Sequence, residues 1–574
     1  MGGGNTSFRV PKVGALIVVF LGLLSVASAA RNGLVGGRKQ HMVDLYRSIT
    51  PKPGPNGKRP VTDVNGNIIA DYDVIYTFDQ LIDHSNPSAG TFKQRYYHTW
   101  EYYKTGGPIV LTTPGEQTAD DTFALLTNAS MSGFIAQATN GAVINLEHRF
   151  YGKSMPFADM SVKSLQVHTV EQAIEDLVYF AQNVQLAMPG GKTDAVRPHK
   201  IPWILLGGSY SGALTSWTLN QKPGVFWAGY SSSGVIQPQL DFWQYFKPIQ
   251  KNMPANCSAD VQAAIEVVDS VIDSGNATAY AELLALFGFA PDLAPSNFAN
   301  SLTYPVSDWQ ILDVYSDRGS VFFDFCDALE VQAGQPAPAS GFGAQTAITA
   351  WGRYYRTSYV DDVCKGFDPE ECMSFDGSTS SSIKPTDDRS WMWQVCNQLG
   401  WAQVGPPADV KGVVSKHFTV DNYTTYCNTA FDGAFTDTFE SRVEATAKKY
   451  LGWGTKADRL FVVNGERDPW LEVTHSAEEA RIASTSTTPI FLTDGYHCSD
   501  LTALNTVSKS IADVYQSART TFPAWMKDFK ASDKPVATTT GGTSSKGKNA
   551  AGRAHASSFA AVILAGAAFV LSGL

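Results

Sequence analysis

The segment Ile204-Leu205-Leu206-Gly207-Gly208-Ser209-Tyr210-Ser211-Gly212-Ala213-Leu214 holds the most chemically specific arrangement in the chain. An apolar run enters a glycine-rich turn and a second apolar run leaves it, with Ser209 at the apex. This is the pattern of a nucleophile elbow, in which small neighbours let a serine sit on a strained turn with its Oγ clear of the backbone. The usual spacing is Gly-x-Ser-x-Gly; here Ser211 takes the last position and Gly212 follows it. An ordinary strand-to-helix turn can have the same composition, so partners must be found. A serine hydroxyl becomes a good nucleophile when a base takes its proton and a carboxylate orients that base. With an elbow of this kind the partners follow in the order serine, acid, histidine, each on a loop after a strand. Asp468, in Asn464-Gly465-Glu466-Arg467-Asp468-Pro469-Trp470, and His497, in Asp494-Gly495-Tyr496-His497, meet both conditions. They are 29 residues apart, room for one helix between them. Of the ten histidines, His475 falls within an expected helix start and His148 comes too early in the chain. Ser209, Asp468 and His497 are therefore the expected catalytic triad, which calls for no metal and no cofactor.

Acyl transfer also needs two backbone donors for the oxyanion. One is the N–H of the residue after the nucleophile, Tyr210. The other belongs to a loop after an early strand, where Gly115 or Glu116 in Pro114-Gly115-Glu116-Gln117 is the candidate.

Several short apolar runs end in turns and would position these residues: Pro108 to Thr112, Ala142 to Leu146, Trp203 to Leu206, Arg459 to Val463 and Pro489 to Thr493. Near-continuous apolar strands of four to six residues suit a parallel sheet covered on both faces. Between the second and third, Thr169 to Val184 carries Val170, Ala173, Ile174, Leu177 and Phe180 at the spacing of an amphipathic helix. Strands alternating with helices define an α/β domain. From 236 to 440 the pattern changes: Ala259 to Ile272 and Ala279 to Phe287 read as helices, most cysteines fall here, and sheet-type runs resume only after Leu451. The expected organisation is an α/β core in two parts, 30–235 and 441–530, split by a mainly helical insertion.

The two ends read as addresses. Arg9 and Lys12, an apolar run from Val13 to Val26 and Ala27-Ser28-Ala29 make a secretory signal peptide over 1–29. Met1-Gly2 with Thr6 also fits a myristoylation motif, which leaves the apolar run without a purpose. At the other end, 531–549 is a Ser/Thr/Gly-rich linker, and Phe559 to Leu574 is an apolar tail of 16 residues, short of the roughly 20 that span a bilayer. With small residues at Asn549-Ala550-Ala551, residues 550–574 read as a removable GPI-anchor signal with Asn549 as the lipid-anchor site. A marginal tail anchor is the alternative. Sequons at Asn128, Asn256, Asn276 and Asn422 are glycosylation candidates on such a route. Seven cysteines lie between Cys257 and Cys498, without any C-x-x-C pair, so up to three disulfides and one odd thiol are expected rather than a zinc site. Cys498, beside His497, is expected to be disulfide-bonded rather than nucleophilic. Loss of Arg9, Lys12 and Arg553 with the two end segments leaves 41 basic against 54 acidic residues, taking the net charge from −10 to −13. That acidity excludes a nucleic-acid binder, whereas 44% hydrophobic residues exclude a largely disordered chain.

Four blocks together resemble one family of serine peptidases, typified by lysosomal Pro-X carboxypeptidase and dipeptidyl peptidase II. They are Gly207-Gly208-Ser209-Tyr210, Glu147-His148-Arg149-Phe150-Tyr151-Gly152-Lys153-Ser154, Asn464-Gly465-x-x-Asp468-Pro469-Trp470 and Gly495-Tyr496-His497-x-x-Asp500-Leu501. The resemblance spans about Asp73 to Phe529, and secreted fungal-type members, acid-acting prolyl peptidases among them, look similar. It implies an α/β-hydrolase core with a helical, disulfide-bearing insertion, and it places nucleophile, acid and base on Ser209, Asp468 and His497. Departures are Cys498, where members often have a second histidine, and Ser211, where they have glycine. The resemblance further implies cleavage of proline-containing peptides, with Trp470 as a wall for the flat ring or as packing beneath the elbow. Glu116 would then bind a substrate amine or accept a buried hydrogen bond. Carboxypeptidase, dipeptidyl peptidase and proline-specific endopeptidase stay open, as does a homodimer. An esterase or lipase on the same fold, or a non-catalytic adhesion protein, is disfavoured by the Glu-His-Arg-Phe-Tyr-Gly and Asp-Pro-Trp blocks and by the intact triad. Such an enzyme would act at the outer face of the plasma membrane or cell wall, or be secreted or vacuolar.

Overall fold

The computed structural model describes residues 60–535, except 121, 317–319, 365–371 and 379–380. The expected signal peptide, the linker beyond 535, Asn549 and the GPI signal lie outside the described residues. Among the described residues no helix is long and apolar enough to cross a membrane.

One eight-stranded sheet organises the chain. Its strands are β1 (Tyr76–Leu81), β2 (Thr91–Thr99), β3 (Ile109–Thr112), β4 (Ala142–Leu146), β5 (Trp203–Gly208), β6 (Ala228–Ser232), β7 (Leu460–Gly465) and β8 (Ile490–Thr493). They lie side by side in the order β1-β2-β4-β3-β5-β6-β7-β8. β2 is antiparallel to both β1 and β4, and every pairing from β4 through β3, β5, β6 and β7 to β8 is parallel. The five expected strands are all present. Every residue of β3, β4, β6 and β7 is buried, which is what helices on both faces require.

β1, β2 and β6 carry no apolar run, for three different reasons. β1 lies at the sheet edge, alternates half-buried with exposed residues over Tyr76–Asp79 and buries the polar Gln80. β2 buries polar residues in pairs: Arg95 meets Glu147 in a buried ion pair, and Gln94 donates to the Glu147 carbonyl. β6 is Ala-Gly-Tyr-Ser-Ser, kept small where it faces helix α3, since a Cβ on Gly229 would meet Leu219 at 2.8 Å.

Helix α1 (Met131–Thr139), α2 (Val170–Asn183) and α3 (Tyr210–Gln221) cover the sheet. α2 starts where Thr169 accepts the Gln172 N–H, and it buries the expected stripe of Val170, Ala173, Ile174, Leu177 and Phe180. From Phe246 to Tyr450 the chain is mainly helical, including Ala255–Asp273, Ala277–Phe287, Pro295–Ser307, Val321–Glu330, Ala344–Tyr354, Val420–Ala430 and Phe439–Tyr450. The strands described in it are short, such as Gly400–Ala402, which pairs with Gln239–Asp241. Three disulfides staple this stretch: Cys257–Cys326, Cys364–Cys372 and Cys396–Cys427.

Two expectations need correction. Cys498 is not disulfide-bonded; it is a free, buried thiol, because the other six cysteines pair among themselves. No α-helix separates Asp468 from His497: only the 3-10 turn Leu471–Val473 lies between β7 and β8. The chain there runs into Ser484-Thr485-Ser486-Thr487-Thr488, residues that compete for backbone hydrogen bonds or lose rotamer freedom in a helix.

Candidate active site

The residues expected to act together lie at the carboxyl ends of adjacent strands. Ser209 follows β5, Asp468 follows β7, His497 follows β8, and Gly115 and Glu116 follow β3. Carboxyl-terminal strand ends are where open α/β sheets place their ligands.

Ser209 has φ 57° and ψ −127°, strained for any residue with a Cβ. Its N–H donates to the Ser232 carbonyl on β6 at 2.9 Å, which holds the turn. The close approach explains the glycines: a Cβ on Gly207 would lie 2.2 Å from the Ser211 carbonyl oxygen. Ser209 precedes α3 without its hydroxyl capping the helix, so Oγ is available to the cavity. The Tyr210 N–H is the first of α3 and has no intrahelical acceptor.

His497 Nδ1 lies 2.9 Å from Asp468 Oδ1, and both residues are buried. The same Oδ1 accepts the Trp470 N–H at 2.8 Å, which fixes the carboxylate. Burial alone would lower the proton affinity of His497. The Asp468 charge, with Cys498 beside it, outweighs burial and holds the imidazole well above its ordinary range. Cys498 has φ 58°, donates its N–H to Ser233 Oγ at 3.0 Å and places Sγ 3.9 Å from the Ser232 carbonyl.

Ser209 and His497 line one cavity of about 140 Å³ with Glu116, Gln117, Cys498 and Leu501. Its aromatic walls are Trp391, Trp401 and Trp470. The rings of Trp391 and Trp401 stack at 6.1 Å, Trp401 meets Trp470 edge-on at 5.8 Å, and Trp470 lies 6.2 Å from the His497 ring. Trp470 Nε1–H donates to Gln310 Oε1 at 2.9 Å, so the residue both lines the cavity and packs. Glu116 is half-buried in the wall, while the Gly115 N–H is turned toward Thr113 Oγ1 at 3.4 Å. Trp391, Trp401, Gln310 and Gln403 come from the helical stretch and escape motif reading. The signal that could have found them is the density of aromatics in Ser390-Trp391-Met392-Trp393 and Gly400-Trp401.

The rival histidines sit elsewhere. His148 is buried, with Nδ1 against the Arg149 carbonyl and Nε2 against Tyr210 OH; burial pushes it down to about 4. His475 is equally buried and likewise lowered to about 4, lining a different cavity beneath the amino ends of the strands. Among the sequon asparagines, Asn128 and Asn276 are exposed, whereas Asn256 and Asn422 are half-buried. Asn276 caps Ala277–Phe287, and Asn422 closes a capping box with Thr419.

A sheet of this order, with a serine on its elbow and carboxylate and imidazole on the strand ends beyond, has the α/β-hydrolase fold, and the chemistry it offers is that of a serine hydrolase. Comparison with known proteins is more specific: the chain belongs to the serine carboxypeptidase S28 family, whose model matches residues 80–513, and it is a serine-type peptidase. It is 30% identical over 500 residues to the serine protease vicPb of Bipolaris victoriae, covering 83% of this chain and 92% of that one. It is 32% identical over 426 residues to a protein of Arthroderma benhamiae named "Probable extracellular serine carboxypeptidase", covering 70% and 58%. To the thymus-specific serine protease of Homo sapiens it is 25% identical over 439 residues, covering 74% and 80%. Among solved structures it matches a proline iminopeptidase of Mycobacterium smegmatis at 12% identity and TM-score 0.32, covering 78% of this chain and 99% of that one.

Proposed function

We propose that the chain is a cell-surface or secreted exopeptidase that hydrolyses peptide bonds next to proline, with Ser209, Asp468 and His497 as its triad. The observation that carries the reading is the 2.9 Å Asp468–His497 pair beside the Ser209 elbow in a cavity walled by three tryptophans. In the reaction, Ser209 Oγ attacks the scissile carbonyl as His497 Nε2 takes its proton. Asp468 orients the imidazole and stabilises the imidazolium that forms. The Tyr210 N–H and the N–H of Gly115 or Glu116 on the loop after β3 are the oxyanion donors. His497 then gives the proton to the leaving amine, and water repeats the sequence on the acyl-enzyme. The indole faces of Trp391, Trp401 and Trp470 suit the flat, apolar pyrrolidine ring. Residues 236–440 act in this reading as a cap that brings Trp391 and Trp401 over the serine.

Two readings of the substrate terminus each have support. Among the described residues, Glu116 is the only carboxylate lining the cavity and no Lys or Arg lines it, which favours a free substrate amine and hence dipeptidyl peptidase action. The family description and the Arthroderma benhamiae relative are named for carboxypeptidase action. Purified protein and its Ser209→Ala variant, given proline-containing peptides blocked at one end or both, decide the matter. Cleavage that needs a free amino end supports the first reading, and cleavage that needs a free carboxyl end the second. Cleavage of doubly blocked peptides makes the enzyme an endopeptidase, and equal hydrolysis by wild type and variant removes Ser209 from the mechanism. The same reading has the protein exported, glycosylated and GPI-anchored. Phosphatidylinositol-specific phospholipase should release it from membranes, and retention there would contradict the anchor.

A further inference from the structure

The block containing His497 also contains Asp500, which the triad does not use. Asp500 is buried, 3% exposed, on the turn Ser499–Leu501 that follows the histidine. Its Oδ1 accepts the Ser232 Oγ–H at 2.7 Å and its Oδ2 accepts the Tyr230 O–H at 2.6 Å. Both hydroxyls belong to β6, the strand between the serine's strand and the acid's strand. Ser232 is the residue whose carbonyl receives the Ser209 N–H at 2.9 Å, and its neighbour Ser233 receives the Cys498 N–H. The chain therefore runs unbroken from nucleophile to base: Ser209 amide, Ser232, Asp500 carboxylate, and back through Cys498 to His497. Three non-glycine residues along it have left-handed backbones, Ser209 at φ 57°, Ser233 at φ 45° and Cys498 at φ 58°. Such conformations persist only where surrounding bonds over-determine them.

We propose that Asp500 is a positioning residue, a single buried carboxylate that clamps the His497 turn to the strand carrying the Ser209 amide's acceptor and so sets the nucleophile–base geometry. It touches neither substrate nor reacting atoms. The proposal rests on the Ser209–His497 reading above. The two arms of the clamp differ in what they hold. Ser232 leads directly to the Ser209 amide, whereas the Tyr230 ring stacks on Phe461 at 5.3 Å within the core and anchors Asp500 against the sheet. Burial pushes the carboxyl up to about 6; the Tyr230 and Ser232 bonds oppose this and the Asp468 charge adds to it. At neutral pH it is mostly ionised and accepts from both hydroxyls. Asparagine keeps the volume but offers one acceptor in place of two, so one hydroxyl must turn round.

The test measures phosphorylation of serine by diisopropyl fluorophosphate, which loses fluoride as the adduct forms, with the adduct located by mass spectrometry, beside kcat and KM for a proline-containing peptide. Asp500→Asn and Ser232→Ala should both fall in phosphorylation rate and kcat, the first by about 10- to 100-fold, with KM within about threefold, as misplaced catalytic groups do. The double variant should be no slower than Asp500→Asn, since both changes cut one path. Tyr230→Phe should lower the melting temperature and leave the rates within about threefold. Wild-type rates in Ser232→Ala or in Asp500→Asn would overturn the proposal, as would a loss in Tyr230→Phe equal to that in Asp500→Asn. Should Asp500→Asn not fold, Ser232→Ala decides alone, because a slower rate supports the clamp and an unchanged one ends it. An adduct on a serine other than Ser209 would instead contradict the triad on which the clamp depends.

Discussion

The Asp468–His497 pair gives the pH behaviour of the site a definite sign. Asp468 raises the proton affinity of His497 against the effect of burial; in the proposed triad the imidazole is then protonated and idle at low pH and becomes a base as pH rises through its raised pKa. Asp468→Asn removes the raising charge. The acid limb of the kcat/KM profile should then move to lower pH, and kcat should fall by roughly 10² to 10⁴. Steady-state rates across pH check both, and an unmoved limb would mean that another group governs it. Asp500 has a separate effect on stability. Its folded pKa of about 6 lies above the ordinary 3.8, so folding takes up a proton there. The associated stability is present below 3.8 and is lost as pH rises through 6, an amount of about 3 kcal/mol. Asp500→Asn should lack that component, as denaturant unfolding at pH 4 and pH 6 would show.

At the scale of elements, the cavity depends on how the helical stretch holds its tryptophans. Cys396–Cys427 ties the segment just before Gly400–Ala402 to the helix Val420–Ala430, closing a loop of 31 residues. Loops of that size are worth about 4 kcal/mol when closed by a disulfide. A Cys396→Ser, Cys427→Ser double variant should lose about that much stability. It should also raise KM for a proline-containing peptide more than it lowers kcat, because Trp391 and Trp401 flank Cys396 and the proposed triad residues do not. Thermal unfolding and steady-state kinetics read the two effects. The same elements show why legibility in the sequence was uneven. The parallel strands β3, β4, β5, β7 and β8 are apolar and announce themselves, and the proposed triad residues follow from their ends. β2 hides because its buried Arg95 and Gln94 find partners only in three dimensions. Trp391 and Trp401 hide because a wall assembled from distant turns has no spacing rule, and the Cys498 thiol could be left over only once the other pairings were known.

Across the whole molecule, buried neutral histidines set the acid edge of stability. Burial lowers His98, His148 and His475 to about 4, and His168 moves the same way. The unfolded chain binds those protons near 6.5, so the stability they confer is present above 6.5 and is lost as pH falls through 4. His98, His148 and His475 each contribute about 3 kcal/mol over that interval, together more than the opposing effects of Asp500 and of Glu330, which burial raises to about 7. Unfolding free energy should therefore decrease from pH 6.5 to pH 4, and a His98→Gln variant should show a shallower decline in the same titration. The triad itself faces one direct measurement: mass-spectrometric mapping of the site labelled by diisopropyl fluorophosphate on intact protein, paired with residual peptidase activity. The triad reading predicts one adduct, on Ser209, forming in step with loss of activity and absent from Ser209→Ala. An adduct elsewhere that abolishes activity, or full activity with Ser209 modified, would contradict it.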